Sequence, residues 1–338
     1  MRVAIFGAGG KVARSAIQHL VFNNEHDDWE LVLIARNTRR VEGLLLDIES
    51  ARPLLEKQTG RRTTSVDVHV TSDLAATSGA DLIAIAAGVW PSVELAVEFK
   101  RRDASGRLVQ SYANFGLVRD VCAAIAARCP NARVLMVTNQ SDLMSELART
   151  RVAPERVLGM GGMLDSARLR QLAAALLSLP LAEFVNGPHM VGFHNDRMQA
   201  LASTLPMPIA PQDLARLVRK TREYGAAVTE LQRDLRLPLV NSGSSILAGF
   251  ALYLTISAYL GHTAPLHESF NALLPADVAG HYGTLPGRAL SVPVRWERGA
   301  VTFAALPAVT SEEQVQLRDA QHALHQEFAI LISVFERQ

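Results

Sequence analysis

The sequence has too few cysteines for a secreted disulfide framework. Its 338 residues include only Cys122 and Cys129, seven positions apart in VCAAIAARC, and that spacing matches no metal-ligand pattern. We therefore expect both cysteines to be buried helix residues, and no metal site is predicted from them.

Long apolar runs are also missing. None reaches the ~18–20 residues that a membrane span requires. The nearest, SSILAGFALYLTISAYL, contains Ser, Thr and Gly and is more typical of a buried core helix. The chain opens directly into a strand pattern without a cationic leader, so we expect a cytoplasmic protein with no membrane partner.

An excess of charge of one sign is absent as well. The chain carries 34 Lys and Arg against 33 Asp and Glu, a formal net charge of +1. Such a balance gives no global field for nucleic acid or an anionic membrane, so no nucleic-acid partner is expected. The 49% hydrophobic content is enough for a sizeable core, and 338 residues are long enough for two domains.

The first part of the chain alternates short β-branched runs with helical periodicity. RVAIFG, ELVLIAR, SVDVHV, DLIAIAAG and RVLMVTN have the composition of strands and are separated by segments with helical spacing. This alternation predicts right-handed βαβ units and a Rossmann-type, doubly wound parallel sheet. We assign residues 1–145 to this Rossmann-type domain.

After residue 145 the pattern changes to longer helices and then to the turn-rich stretch HYGTLPGRALSVPVRWERGAVTF, which indicates antiparallel strands. A closing helix is predicted, with Thr310 or Ser311 as its N-cap and Glu312 and Glu313 in its first turn. Residues 146–338 are therefore expected to form an α+β substrate and catalytic domain.

The stretch FGAGGKVARS lies between the first strand and the first helix. Gly7 ends the strand and Gly10 opens the helix, so backbone amides at the helix N-terminus can face a pyrophosphate. Gly7, Gly10 and Ala13 follow a G-x-x-G-x-x-A spacing, whereas Gly7, Gly9 and Val12 fit G-x-G-x-x-G poorly. The context favours dinucleotide binding over a plain tight turn.

The second strand ends in Ala35 and Arg36, where an NAD site normally has an acidic residue that binds the adenosine ribose. A guanidinium at this position can bind a 2′-phosphate through paired hydrogen bonds. The cofactor is therefore predicted to be NADP or NAD, with a slight preference for NADP. The alternative is that Arg36, Arg39 and Arg40 are only solvated side chains at the start of the next helix.

Asp165 and Arg168 lie three residues apart in GMGGMLDSARLR, which places them on one face of a helix. A generic pair of this kind is most often an exposed ion pair of little energetic value. The rest of the sequence favours a functional pair.

Several segments together resemble the lactate/malate dehydrogenase family. ELVLIARNTRRVEGLLLDIESA is similar to its second strand and following helix, ADLIAIAAGV to its fourth strand, and IAARCPNARVLMVTNQSDLM to its fifth. ERVLGMGGMLDSARLR resembles the helix with the family's Asp and Arg, and VGFHNDRM its histidine segment. With SVPVRWERGAVTF and the closing helix, the resemblance extends from residue 1 to about residue 335.

The resemblance implies roles for three residues. Arg168 would bind the substrate carboxylate, His194 would exchange a proton with the substrate oxygen, and Asp165 would orient the imidazole. His189 competes for the histidine role, but only His194 is followed by a segment, NDRM, similar to the family's. Phe193 and Asn195 depart from the family pattern around it.

The resemblance also implies further substrate contacts. Asn139 would contact the substrate oxygen, although Gln140 stands where the family has proline. Arg107 matches the position of the carbonyl-polarising arginine, and Arg101 that of an arginine for a second carboxylate. Ser244 is a weaker candidate beside the substrate. The segment 90–100 is about ten residues longer than in the family, so Arg101 is alternatively one solvated charge in a basic loop.

The glycine turn and the resemblance together imply ten cofactor-binding residues. They are Gly7, Gly9, Gly10, Lys11, Val12, Arg36, Ala87, Gly88, Asn114 and Asn139.

The predicted function is hydride transfer between a nicotinamide cofactor and a 2-hydroxy or 2-oxo acid, with malate and oxaloacetate favoured. The partner is then a small 2-oxo acid, and the family implies a homodimer or homotetramer. Three alternatives remain: a dehydrogenase for a bulkier 2-oxo acid, a non-catalytic NAD(P)-binding protein, and an NAD-dependent glycoside hydrolase. The last uses a metal held by Cys and His, and neither cysteine is near Asp165 or His194 in the sequence.

Overall fold

The computed structural model describes residues 1–60, 63–89, 91–92, 106–184, 187–195, 197–234, 244–303 and 306–336. Of residues 106–107, 224–234 and 244, it describes the backbone and not the side chain.

Within these residues, the strands are β1 (Arg2–Phe6), β2 (Glu30–Ile34), β3 (Asp67–Thr71), β4 (Leu82–Ile85), β5 (Arg133–Met136), β6 (Val157–Gly159), β7 (Met190–Phe193), β8 (Arg197–Ala200), β9 (Leu266–Leu273), β10 (Ala289–Glu297) and β11 (Ala300–Thr302). The α-helices are α1 (Lys11–Phe22), α2 (Thr38–Thr59), α3 (Gly106–Arg128), α4 (Ser141–Arg149), α5 (Gly161–Leu177), α6 (Pro211–Asp234), α7 (Ser244–Leu260), α8 (Ala276–His281) and α9 (Ser311–Phe335).

The first six strands form a parallel sheet in the order β3-β2-β1-β4-β5-β6. The buried strands are almost entirely aliphatic; β4, for example, reads LIAI and is buried at every position. Strands buried on both faces are expected in a sheet covered by helices on each side. The strand order reverses between β1 and β4, which is where doubly wound sheets bind ligands.

The sheet continues into an antiparallel part through β6 and β9, where Gly159 pairs with Asn271. From there β9, β10, β7 and β8 follow one another with antiparallel pairing, and β11 pairs with β10. The predicted fold class, a Rossmann-type parallel sheet followed by an α+β part, is confirmed. The parallel pairing extends to residue 159, and the domain boundary at 145 stays a prediction.

Arg149 stabilises the junction between the two parts of the sheet. Its guanidinium donates to the backbone oxygen of Val157 on β6 and to both the side-chain and backbone oxygens of Asn271 on β9, at 2.8–3.1 Å. It also pairs with Glu146 at 2.6 Å. Because these acceptors come from both parts of the sheet, one buried cation holds the two parts together.

Helix α7 packs against α1, the helix that follows the glycine turn. A Cβ at Gly249 would overlap the side chain of Ser15, so the two helices approach closely at this glycine. Most of α7 is buried, as predicted, but Ile246 and Phe250 are 74% and 42% exposed. Across the described ranges, no helix combines the length and apolarity needed to cross a membrane.

The closing helix begins with a capping box. Thr310 accepts a hydrogen bond from the backbone N–H of Glu313, and the Glu313 carboxylate accepts one from the N–H of Thr310. This geometry satisfies amides that the first turn leaves without helical partners. Of the two predicted caps, Thr310 is the one used. Cys122 and Cys129 are buried free thiols, and Cys129 follows the last residue of α3 rather than lying within it.

Candidate active site

Five of the predicted cofactor-binding residues lie at one edge of the parallel sheet. Gly7 follows β1, Arg36 follows β2, Ala87 and Gly88 follow β4, and Asn139 follows β5. Parallel strands have their carboxyl ends at the same edge, so these residues lie along one crevice.

The glycine turn fits a dinucleotide pyrophosphate. Gly7 has a φ of +89°, and a Cβ there would lie 2.5 Å from the backbone of Ala87, so this position requires glycine. Gly10 is the N-cap of α1 and has no side chain with which to cap the helix amides. A Cβ at Gly9 would meet its nearest neighbour, Ala35, only at 3.9 Å. The helix N-terminus therefore presents backbone amides beside space for a phosphate.

Positive charge surrounds this turn. Arg36, Arg39 and Arg40 are exposed at the end of β2 and the start of α2. Desolvation, followed by the charges of Arg14 and Arg40, lowers the pKa of Lys11. The cationic groups of α1 and α2 are therefore close enough to influence one another, and an anionic ligand at the turn would reduce their mutual repulsion.

Asn114 joins the loops after β4 and β5. Its Oδ1 accepts a hydrogen bond from the Val89 backbone at 2.6 Å, and its amide nitrogen donates to the backbone oxygens of Gln110 and Asn139 at 2.8 and 3.1 Å. Both amide hydrogens thus have protein acceptors. Asn114 therefore positions the two loops, and its cofactor contact stays a prediction.

One carboxylate, that of Asp165, connects His194 and Arg168. His194 Nδ1 lies 2.6 Å from Asp165 Oδ2, a distance at which a protonated Nδ1 donates to the carboxylate. Arg168 Nη1 donates to Asp165 Oδ1 at 3.0 Å. Asp165 and Arg168 are one turn apart on α5, whereas His194 comes from the turn between β7 and β8. The three side chains therefore converge although they span 30 positions of the sequence.

The pair of Asp165 and Arg168 is not a surface ion pair. The side chains of Arg168, Asp165 and His194 are only 13%, 12% and 14% exposed. A carboxylate removed from water to this extent is costly unless it is paired, so the guanidinium of Arg168 and the hydrogen bond to His194 compensate for its burial.

Gly161 allows the His194 ring to lie against the start of α5. A Cβ at this position would fall 2.5 Å from His194 Cγ and 2.6 Å from Ser141 Oγ. The backbone N–H of Gly161 also donates to Ser141 Oγ at 3.1 Å. The glycine at the first position of α5 therefore provides the space that the imidazole occupies.

Gln140 and Asp142, which both follow β5, bind the backbone of His194. The Gln140 side-chain amide donates to the His194 carbonyl at 2.6 Å, and the Asp142 carboxylate accepts from the His194 N–H at 2.8 Å. Gln140 is 2% exposed and Asp142 is fully buried. Ser291 on β10 also donates to Asp142, at 3.3 Å. Side-chain hydrogen bonds thus fix both the carbonyl and the N–H of His194.

Burial raises the pKa of Asp142, against the opposing effects of His194, Arg149 and the hydrogen bonds that it accepts. The sequence analysis did not identify Asp142 and treated Gln140 only as a departure from the family. The available signal was the polar run NQSD directly after a buried strand, where side chains project into the crevice of a parallel sheet.

The competing histidine, His189, lies elsewhere. It is buried at the start of β7, where its backbone N–H donates to Thr204 and its ring contacts Arg170. Arg170 forms a bidentate pair with Glu268 at 2.5 and 2.7 Å. Phe193 is fully buried in the core, and Asn195 accepts a hydrogen bond from the Arg197 backbone, which closes the turn after His194.

Three predicted residues have no described side chain. Arg101 lies outside the described residues. Arg107 is the second residue of α3 and Ser244 the first of α7, and only their backbones are described. Asn139 is exposed, and its amide nitrogen lies 3.4 Å from the side-chain oxygen of Gln110.

Known proteins match this chain along its length. A profile of the lactate/malate dehydrogenase NAD binding domain matches residues 1–159. A malate dehydrogenase of Desulforudis audaxviator is 30% identical over 68% of this chain and 70% of its own, and an L-lactate dehydrogenase of Nitratidesulfovibrio vulgaris is 27% identical over 98% and 99%. A lactate dehydrogenase structure from Cryptosporidium parvum, in complex with lactic acid and nicotinamide adenine dinucleotide, superposes with a TM-score of 0.77 at 21% identity over 98% of this chain and 97% of that one.

The doubly wound fold, the glycine turn and these relatives define an oxidoreductase that uses a nicotinamide cofactor. The chain belongs to the lactate/malate dehydrogenase family. The predicted reaction class, oxidation and reduction of 2-hydroxy and 2-oxo acids, is confirmed at the level of the family.

Proposed function

We propose that the chain reduces a 2-oxo dicarboxylic acid of the oxaloacetate type, and oxidises the corresponding 2-hydroxy acid, through Asp165, Arg168 and His194. The observation that supports this assignment is the shared carboxylate of Asp165, which contacts both the imidazole and the guanidinium. A proton donor and a carboxylate-binding cation are the two groups that this reaction needs beside the cofactor.

Each of the three residues has a distinct task. His194 delivers a proton to the carbonyl oxygen during reduction and removes it in the reverse direction. Asp165 holds the imidazole with Nδ1 protonated and stabilises the imidazolium when it forms. Arg168 has other N–H donors besides the Nη1 that bonds to Asp165, and two of them can grip the substrate carboxylate.

The crevice fits the nicotinamide cofactor of the family. Gly7, Gly9 and Gly10, followed by Lys11 and Val12 at the start of α1, would receive the pyrophosphate. Ala87, Gly88 and Asn139 line the strand ends toward the reacting groups. When bound, the nicotinamide supplies or accepts the hydride.

The preference for a dicarboxylic substrate depends on Arg101, whose position in the sequence matches the family's arginine for a second carboxylate. Arg107 matches the family's carbonyl-polarising arginine and would stabilise charge on the substrate oxygen. A cation is needed because a second carboxylate is costly to bury without one. The runner-up is a bulkier 2-oxo acid, favoured by the longer segment 90–100. Ser244 stays a secondary substrate-contact candidate.

NADP is the preferred cofactor in this proposal. Supporting it are the exposed side chain of Arg36, which follows the nearest neighbour of Gly9, Ala35, in the sequence, and the exposed Arg39 and Arg40 at the start of α2. A cytoplasmic location, as expected from the sequence, and a homodimeric or homotetrameric assembly, as the family resemblance implies, complete the proposal.

The test is a panel of 2-oxo acids assayed with NADPH and NADH on the wild type, His194→Ala and the matched control His189→Asn. We expect oxaloacetate to have the highest kcat/KM, and His194→Ala to lower it by about 10²–10⁴-fold, the usual contribution of a general acid. His189→Asn should retain turnover.

Turnover that survives in His194→Ala would refute the assigned proton donor. A higher kcat/KM with pyruvate than with oxaloacetate would refute the role of Arg101, and a large advantage of NADH would refute the preference for NADP. An absence of turnover with every acid would favour the non-catalytic alternative.

A further inference from the structure

Far from the crevice, two histidines and an aspartate meet where the α1–β2 loop contacts the chain after α7. The rings of His26 and His262 stack at 3.8 Å with an angle of 11° between them. Asp28 Oδ1 lies 3.5 Å from His262 Nε2. In the described part of the chain, His26, Asp28 and His262 form a group whose possible metal-ligand atoms all lie within 4.8 Å of one another.

The loop that carries His26 and Asp28 is built around a buried asparagine. The amide nitrogen of Asn24 donates to the backbone oxygens of His26 and Thr64, at 2.5 and 2.8 Å, and its Oδ1 accepts from the Trp29 indole at 3.1 Å. Asn24 and Trp29 are each 4% exposed. The loop is therefore held in place by contacts that leave the rings of His26 and His262 facing each other.

His262 has a ring nitrogen that lacks a well-formed hydrogen bond. Its Nε2 is buried without a partner of acceptable hydrogen-bond geometry among the described residues, and the Asp28 oxygen is the near acceptor at 3.5 Å. Burial, together with the charge of His26, lowers the pKa of His262 against the opposing effect of Asp28. The neutral imidazole is the form that ligates metals.

A cavity of about 340 Å³ opens beside His26 and His262, with Glu25 and Asn23 also on its wall. The cavity leaves room for an ion and its water ligands. Zinc bonds to imidazole nitrogen and carboxylate oxygen are ~2.0–2.2 Å, so two ligands on one ion lie at most about 4 Å apart. His26 is exposed and can turn out of its stack to meet this requirement.

We propose that His26, Asp28 and His262 form a binding site for a divalent ion of the zinc type. Two imidazoles and a carboxylate suit Zn²⁺ and its transition-metal neighbours rather than Mg²⁺ or Ca²⁺, which prefer sites made only of oxygen. The ion links the loop after α1 to the chain that follows α7. Helices α1 and α7 are the two that pack together at Gly249. The effect of the ion is to stabilise the folded chain, because it binds the native state and not the separated segments.

The test is calorimetric titration of the metal-stripped, full-length chain with ZnCl₂ at neutral pH. We expect one ion per chain and a higher Tm in its presence. His26→Asn, Asp28→Asn and His262→Asn should each weaken binding at least about tenfold, the lower limit measured for residues that merely support metal ligands. The matched control is His69→Asn, an exposed histidine on β3, which should leave the affinity unchanged.

A second measurement uses Trp29, whose ring centroid lies 5.9 Å from that of His262. Cu²⁺ should quench its fluorescence at one equivalent, and the quenching should be lost in Trp29→Phe and in His26→Asn. Because His26 is exposed, its variant tests the site even if His262→Asn fails to fold.

Three outcomes would overturn the proposal. They are an absence of stoichiometric zinc binding, binding that His26→Asn and His262→Asn leave unchanged, and binding that His194→Asn abolishes. The last would place the ion at the His194–Asp165 pair instead. The first two outcomes do not bear on the proposed dehydrogenase function, which uses other residues, whereas the third would place the ion on residues of the proposed catalytic site.

Discussion

At the scale of single residues, Gly161 sets how closely the His194 ring approaches α5. Gly161→Ala would place a methyl group 2.5 Å from the ring, so the imidazole must move away from its position beside Asp165. We expect kcat/KM to fall at least tenfold, because displacements of about 1 Å can cost about 10²-fold in rate. Steady-state kinetics with the best 2-oxo acid would measure it.

The matched control is Gly280→Ala, because a Cβ at Gly280 in α8 would meet nothing within 4 Å. It should leave kinetics and stability nearly unchanged. If Gly161→Ala behaves in the same way, the imidazole does not require the space that this glycine provides.

Gln140 is predicted to position His194 rather than to react. Gln140→Leu leaves the buried His194 carbonyl without its donor, a loss of about 1–3 kcal/mol at a buried polar group. We expect kcat to fall about tenfold while the KM for the cofactor stays constant, since the glycine turn is not touched. Gln316→Leu, an exposed glutamine on α9, is the control. A drop in Tm with an unchanged kcat would assign Gln140 a purely structural role.

At the scale of elements, the docking of α9 against α4 is predicted to depend on pH. His325 on α9 lies 3.9 Å from the Glu146 carboxylate on α4. Burial lowers the pKa of His325 from its usual 6.5, Arg288 and Arg149 act in the same direction, and Glu146 opposes them. The folded chain thus binds fewer protons than the unfolded chain just below pH 6.5, so stability is present above this pH and is lost as the pH falls below it.

Urea unfolding between about pH 5 and pH 7 measures this effect. The free energy of unfolding of the wild type should decline below pH 6.5, and His325→Gln should reduce the slope. His69→Gln changes an exposed histidine on β3 that does not act on His325, and it should keep the slope. Equal slopes for wild type and His325→Gln would contradict the prediction.

The elements themselves could be predicted from local patterns. Alternating aliphatic strands and helical segments gave the parallel sheet, and the Thr310 cap and its Glu313 partner follow from residues three apart. Gln140 and Asp142 could not be assigned in this way, because their contacts join residues more than 50 positions apart. Local propensity and spacing contain no information about such tertiary hydrogen bonds.

At the scale of the whole molecule, the site forms where the parallel and antiparallel parts of the sheet meet. Asp142 follows a parallel strand, Asp165 lies on the helix after β6, and His194 lies in a turn of the antiparallel part. The order Asp, Arg, His along the chain can be matched to a family, so these three residues are predictable from the sequence. The contact between the buried carboxylate of Asp142 and the backbone N–H of His194 could be identified only from the packed structure.

The central claim is that one carboxylate serves both the imidazole and the guanidinium. The most direct test is the steady-state kinetics of Asp165→Asn, which keeps the size of the side chain and removes its charge. We expect kcat to fall by about 10²-fold or more, as for the loss of general acid-base function, and the KM of the 2-oxo acid to rise because Arg168 loses its anchor. The KM for the nicotinamide cofactor should not change. An Asp165→Asn variant with wild-type kcat and wild-type KM for the acid would contradict the account.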